Sequence, residues 1–191
     1  MTMRVVSLVM LVLLVAPLTA QADDALWTLL KRGGHIVLIR HANAPGTFDP
    51  PGMRTDDCST QRNLDEQGRE EARRIGLAFR AREIPVGAVR SSRWCRCLET
   101  ARLAFGRVEH WWALDGFLRS PELEAPHTAQ VRAVARQPFT GPNLVFVTHQ
   151  FNIRALTGLS PVSGEIVVLT PKGSEFAVAG SIPPSALTVS P

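Results

Sequence analysis

Tyrosine is absent from the 191 residues, aromatic side chains make up only 6%, and there are three cysteines, Cys58, Cys95 and Cys97. A platform of rings for stacking bases or sugars is therefore not expected, although Trp111 and Trp112 stand together. Three thiols make neither a disulfide framework nor a four-ligand zinc pattern. In an oxidising compartment they allow one bridge, with Cys58 to Cys95 or Cys58 to Cys97 as the long-range choices, and one thiol remains. A block of like charge is also missing: the formal net charge is +4, with Arg interspersed among Glu. That pattern reads as a solvated basic surface, and no nucleic-acid partner is expected. There is no internal repeat and no low-complexity segment.

The longest apolar stretch, residues 5–16, is shorter than the roughly 20 residues that a membrane span needs. It follows Arg4 and precedes Ala20-Gln21-Ala22, which is the layout of a secretory signal: a positive start, an uncharged apolar centre and small residues for cleavage before Asp23. Export is expected, to the periplasm or beyond the cell, with residues 1–22 removed and no membrane span left. Residues 23–191 then have the size of one domain with a real core, since domains commonly run to about 100–150 residues.

Within that domain, residues 24–31 can form a short helix with Leu26, Leu29 and Leu30 on one face, ended by Gly33-Gly34. His35-Ile36-Val37-Leu38-Ile39 reads as a buried strand that stops abruptly at Arg40-His41. A long loop, residues 43–63, leaves directly from that pair; loops beyond about 12–15 residues without structure are uncommon and often functional. Asp65 is an N-cap for the clearest helix, in which Ala72, Ile75, Gly76 and Phe79 repeat at helical spacing. Residues 87–92 read as a strand feeding a helix over 93–104, residues 108–114 as another short strand, and 121–136 as a helix. Asn143 to His149 repeats the opening theme, an apolar strand ending on a histidine, with a helix after it through 154–157. Strands over 165–170 and 175–178 close the chain as a hairpin turned by Pro171-Lys172-Gly173. Alternating strands and helices imply an α/β, three-layer sandwich: a mostly parallel sheet with helices on both faces.

In open sheets of this kind, ligands bind at the carboxyl ends of the strands. Arg40, His41 and His149 are displayed from that edge, and Arg93 or Arg96 arrives there from the strand ending at Ser91-Ser92. Such a cluster is a poor metal site, because guanidinium repels a cation and no Asp, Glu or Cys stands at ligand spacing, so no metal or other cofactor is expected. It suits an anion. Arg presents a planar fork of donors that matches phosphate, and a neutral imidazole is a nucleophile.

Four segments resemble the histidine phosphatases of the phosphoglycerate mutase-like superfamily. Arg40-His41-Ala42 is similar to the family's Arg-His-Gly or Arg-His-Ala signature. Asn63-Leu64-Asp65-Glu66-Gln67-Gly68-Arg69-Glu70-Glu71-Ala72 is similar to its Leu-Thr-x-x-Gly-x-x-Gln-Ala helix start. Ser91-Ser92-Arg93-Trp94-Cys95-Arg96-Cys97-Leu98-Glu99-Thr100-Ala101 resembles Ser-x-x-x-Arg-Ala-x-Gln-Thr-Ala, and Val147-Thr148-His149-Gln150 follows the second-histidine motif. The resemblance implies that His41 attacks phosphorus and becomes a phosphohistidine, and that Arg40, Arg96 and His149 hold the phosphoryl oxygens. Arg96, and not Arg93, falls on the matching position. The family's acidic proton donor falls loosely on Asp115, with Glu122 as runner-up. Asn43 and Gln150, next to the catalytic positions, are candidate substrate contacts. His35, His110 and His127 carry no supporting pattern and read as structural or exposed.

The expectation is an exported, metal-independent phosphomonoesterase whose substrate is a small phosphorylated molecule or a phosphorylated envelope component. The alternative is a non-catalytic phosphate-binding module of the same fold.

Overall fold

In the computed structural model, which describes residues 18–187, the apolar run after His35 forms strand β1 (Ile36–Arg40), buried along its first four residues. Helix α1 precedes it over Leu18–Lys31, starting earlier than the expected residue 24. The candidate signal centre, residues 5–16, lies outside the described residues, and no described helix is long and apolar enough to cross a membrane.

Helix α2 (Glu66–Ala81) starts as expected, with the Asp65 carboxylate accepting from the N–H of Gly68 at 2.7 Å. Gly68 has a packing reason as well: a Cβ there would run into the carbonyl oxygen of Asn43, so the helix start is pressed against the chain leaving β1. Strand β2 (Val86–Ser91) feeds helix α3 (Cys95–Phe105), and β3 is only Glu109–His110, followed by a 3-10 turn at Trp112–Leu114. Helix α4 spans Glu124–Arg136. Strand β4 (Asn143–Thr148) leads into helix α5, Gln150–Thr157, longer at its start than expected.

The closing hairpin pairs β5 (Ile166–Lys172) with β6 (Glu175–Ile182). Its turn is therefore Gly173 with Ser174, and Pro171 and Lys172 belong to β5, opposite Phe176 and Glu175. Proline is tolerated there because β1 pairs with β5 only as far as Leu169, so the missing N–H has no strand to meet on that side.

The six-stranded sheet has the order β3-β2-β4-β1-β5-β6, with β3, β2, β4 and β1 parallel and β5 and β6 antiparallel additions. Apolar residues of β1 and β4 alternate between two cores. Val37, Ile39, Val145 and Val147 pack with α1, α2 and α3; Ile36, Leu38 and Phe146 pack with α4 and α5. The neighbours β1 and β4 thus send their following helices to opposite faces, which opens a crevice between their carboxyl ends.

Cys58 and Cys95 form the disulfide, with Cα atoms 5.7 Å apart, and Cys97 stays free and buried, its thiol pushed up to about 12 by burial. The bridge ties the long loop to the first residue of α3. Closing a 37-residue separation is worth about 3–4 kcal/mol in the chain-entropy account. Cys58→Ser/Cys95→Ser is therefore expected to lose stability on that scale in urea unfolding, and a loss below about 1 kcal/mol would mean that the loop is already held by its own contacts.

Candidate active site

Backbone pairing sets the positions first. The N–H of His41 donates to the carbonyl of Thr148 at 3.0 Å, and that of Ser92 to the carbonyl of Val147 at 3.0 Å, so β1, β4 and β2 end level with one another. His41 and His149 consequently face each other with ring centroids 5.6 Å apart, both nearly buried.

The two rings are held differently. His41 Nδ1 lies 2.8 Å from the carbonyl of Ala42, which fixes the proton on Nδ1 and leaves Nε2 as the bare nitrogen. Into that nitrogen points Nε–H of Arg96, at 3.2 Å. His149 Nε2 is 2.9 Å from the Ser92 hydroxyl, and its ring is flanked by Trp94 and by Gly116, whose missing Cβ makes room for it. Burial, and then the positive charge of Arg96, hold both histidines well below the ordinary imidazole value, with Arg62 and Arg40 adding to it. Both imidazoles are therefore neutral at pH 7.

Three guanidinium groups surround His41. Arg40 donates to the carbonyl of Pro161 at 2.9 Å, and Arg62 to the carbonyl of Ala44. The Nε atoms of both are buried without a hydrogen-bond partner, and both residues line the cavity. Three arginines at one cavity suit an anion by charge. Arg62 was not legible as a site residue; it stands at the end of the long loop, one residue before the helix-start pattern.

Nor did the sequence point to Asp49, in the middle of that loop. Its Oδ1 accepts from Arg96 Nη1 at 2.7 Å and from the N–H of Arg62 at 3.0 Å; its Oδ2 accepts from Arg96 Nη2 at 3.2 Å and Trp94 Nε1 at 3.1 Å. Burial pushes this carboxyl up, but the Arg96, Arg62 and Trp94 donors together outweigh it and leave it below the usual carboxylate range. The carboxylate thus occupies both terminal nitrogens of Arg96.

Arg40, His41, Arg96 and His149 converge as the sequence implies, at the floor of a cavity of about 880 Å³. Gln150, from the first turn of α5, lines the same cavity. Asn43 does not: its amide donates to the Asp65 carboxylate at 3.2 and 3.3 Å and its backbone N–H to Glu71 at 2.7 Å, so it braces the start of α2. Asp115 is not among the cavity-lining residues either, although its neighbour Gly116 is. Its carboxylate accepts from the N–H and Nε of Arg93 at 2.8 and 2.7 Å and meets His110 Nε2 at 3.2 Å, while His127 Nδ1 meets its carbonyl at 3.1 Å. It is a structural clasp, and this also gives Arg93, His110 and His127 their work. Glu122 is exposed and outside the cavity lining. Among the described residues, the carboxylates that line the cavity are Asp49 and Asp56, and no group of three His, Cys, Asp or Glu side chains is placed to hold a metal ion.

No family model matches the sequence, and no curated protein matches it. Solved structures match in fold. A phosphoserine phosphatase from Entamoeba histolytica, solved as a variant with phosphoserine, is 12% identical over 81% of this chain and 99% of its own, with a TM-score of 0.58. A mycobacterial glucosyl-3-phosphoglycerate phosphatase is 15% identical over 76% and 97%, with a TM-score of 0.55. The protein histidine phosphatase SixA, complexed with tungstate, is 16% identical over 81% and 99%, with a TM-score of 0.51. The chain shares the α/β, phosphoglycerate mutase-like fold of these phosphatases.

Proposed function

We propose that this protein is an exported phosphomonoesterase that works without a metal, through a phosphohistidine on His41. The observation that carries the reading is the bare Nε2 of a neutral, buried His41, encircled by Arg40, Arg62 and Arg96. That nitrogen attacks phosphorus, the bond to the ester oxygen breaks, and the alcohol departs with a proton given by a neighbouring carboxyl group. Water then attacks phosphorus while the carboxylate takes back a proton from it, the P–N bond breaks, and phosphate leaves with His41 neutral again. Phosphoryl transfer asks chiefly for positioning and for charge stabilisation at the oxygens, and three guanidinium groups supply both. Export rests on the signal-like layout of residues 1–22, and residues 23–191 form the phosphatase domain of this reading.

Phosphate and the Asp49 carboxylate compete for the same Arg96 nitrogens. When phosphate wins, Asp49 loses its cation and gains an anionic neighbour, which raises its proton affinity beside the reacting centre. Asp49 thereby replaces Asp115 as the candidate donor to the leaving oxygen. Asp49→Asn is expected to lower the inhibition constant of inorganic phosphate about tenfold, the effect of removing roughly one charge contact. At the same time kcat on alkyl phosphates should fall by about 10²-fold, with p-nitrophenyl phosphate, whose leaving group needs no proton, much less affected. Equal losses on both esters would remove Asp49 from the proton path.

The reading itself is tested by incubating the oxidised protein with p-nitrophenyl phosphate in excess chelator and quenching in alkali during turnover. An acid-labile, alkali-stable phosphoryl group on His41 supports it. Phosphate or vanadate binding with no turnover would instead leave the non-catalytic module.

A further inference from the structure

The cavity is far larger than the phosphoryl group its floor can hold, and its upper wall has a different chemistry. Phe48 from the long loop is 65% exposed, Leu118 from the segment after β3 is 47% exposed, and Phe151 at the start of α5 is 40% exposed, and all three line this one cavity. Met53 and Phe117 line the same cavity. Large apolar groups turned to water around a single opening mark a surface built to be covered.

Among the described residues, the exposed charged groups that line the cavity are Arg54, Asp56 and Arg119, one acid between two cations. Arg54 pairs with Asp57 at 2.7 Å and lies 3.6 Å from Asp56, and Arg119 donates to the carbonyl of Asp49. Arg40 and Arg62 stand beside buried His41 at the closed end of the cavity. One charged end below and an apolar wall above describe an amphiphile.

Resting on the phosphatase reading above, we infer that the alcohol half of the substrate is a long apolar chain, so that the natural substrate is an alkyl or prenyl phosphomonoester. Its phosphoryl group reaches His41 while the first carbons of the chain lie against Phe48, Leu118 and Phe151. A sugar phosphate would leave those side chains wet.

The test is a chain-length series at concentrations below micelle formation: ethyl, butyl, hexyl and octyl phosphate as substrates, the matching n-alkylphosphonates as inhibitors, with glucose 6-phosphate, glycerol 3-phosphate and benzylphosphonate beside them. Ester oxygens of alkyl chains differ little as leaving groups, so the series isolates binding of the chain. kcat/KM is expected to rise with each methylene, by up to about fourfold, and octyl phosphate to exceed ethyl phosphate at least 30-fold. The phosphonate inhibition constants should fall in parallel, and Phe48→Ser/Phe151→Ser should reduce the octyl-to-ethyl ratio below about fivefold. Three results overturn the inference while leaving the phosphatase reading intact: a flat series, preference for the polar esters, or benzylphosphonate binding better than hexylphosphonate. A flat series with rapid dephosphorylation of a phosphohistidine protein would give the wall to a protein partner instead. No turnover of any ester, p-nitrophenyl phosphate included, would overturn the phosphatase reading and this inference with it.

Discussion

His41→Ala is expected to abolish turnover of p-nitrophenyl phosphate, a loss of about 10⁴-fold or more, because guanidinium nitrogens are not nucleophiles and the one other imidazole lining the cavity among the described residues is His149. His149 cannot substitute: its Nε2 is taken up by the Ser92 hydroxyl, and its ring is clamped between Trp94 and Gly116. Phosphate should still bind the variant, since Arg40, Arg62 and Arg96 remain, so loss of rate and retention of ligand together identify the residue as nucleophile. Residual activity within tenfold of wild type would mean that water attacks directly or that another group does.

The same substitution has a second readout. Burial and neighbouring arginines lower the His41 and His149 values in the folded protein, so below pH 6.5 the unfolded chain binds protons that the folded chain refuses. Stability should therefore be full above that pH and decline as the pH falls beneath it. Removing His41 takes away one of the three histidines responsible, His149 and His35 being the others, and the decline in urea midpoint on acidification should become shallower.

Most of the frame was legible because it depends on short-range pattern. Ile36 to Ile39 and Leu144 to Val147 are apolar runs bounded by polar ends, Asp65 and Gly68 mark a helix start, and the alternation of strand and helix fixes the class. The convergence of His41 and His149 followed from two strands ending alike. What stayed hidden depends on where a loop comes to rest. Asp49 lies in Phe48-Asp49-Pro50-Pro51, a stretch with no periodicity to read, and reaches Arg96 only because the loop is anchored by Cys58–Cys95 and by the Gln61 side chain accepting from the N–H of Cys95. Which cysteine pairs with Cys58 is likewise a matter of helix phase: Cys95 opens α3 toward the loop, whereas Cys97, two residues on, points inward to His149. Asp115 misled for the opposite reason. A lone acid near the second histidine has the right chemistry, but Arg93 pairs with it and His110 hydrogen-bonds to it, and contacts between β2, β3 and the turn after them are not visible in one dimension.

Arg96→Met carries the second large expectation, because it removes two interactions with opposite consequences. The loss of a phosphoryl-oxygen donor should lower kcat/KM by about 10²- to 10³-fold. The side chains of Arg96 and Asp49 are 6% and 10% exposed, and breaking a buried pair from one side typically costs about 3–5 kcal/mol; because Asp49 keeps the N–H of Arg62 and Trp94 Nε1, the lower end is expected. Arg96 is also, after burial, the largest cause of the low His41 value, so without it the imidazole protonates more easily and the acid limb of kcat/KM should move to higher pH. The double variant Arg96→Met/Asp49→Asn separates these effects: replacing the stranded carboxylate with a neutral amide should restore much of the lost stability in urea unfolding, but none of the catalytic rate. If the double variant is no more stable than Arg96→Met, Asp49 was not stranded and the pair contributes little to the fold. If it recovers activity instead, then Arg96 serves mainly to restrain Asp49, and the phosphoryl oxygens are held by Arg40 and Arg62 alone.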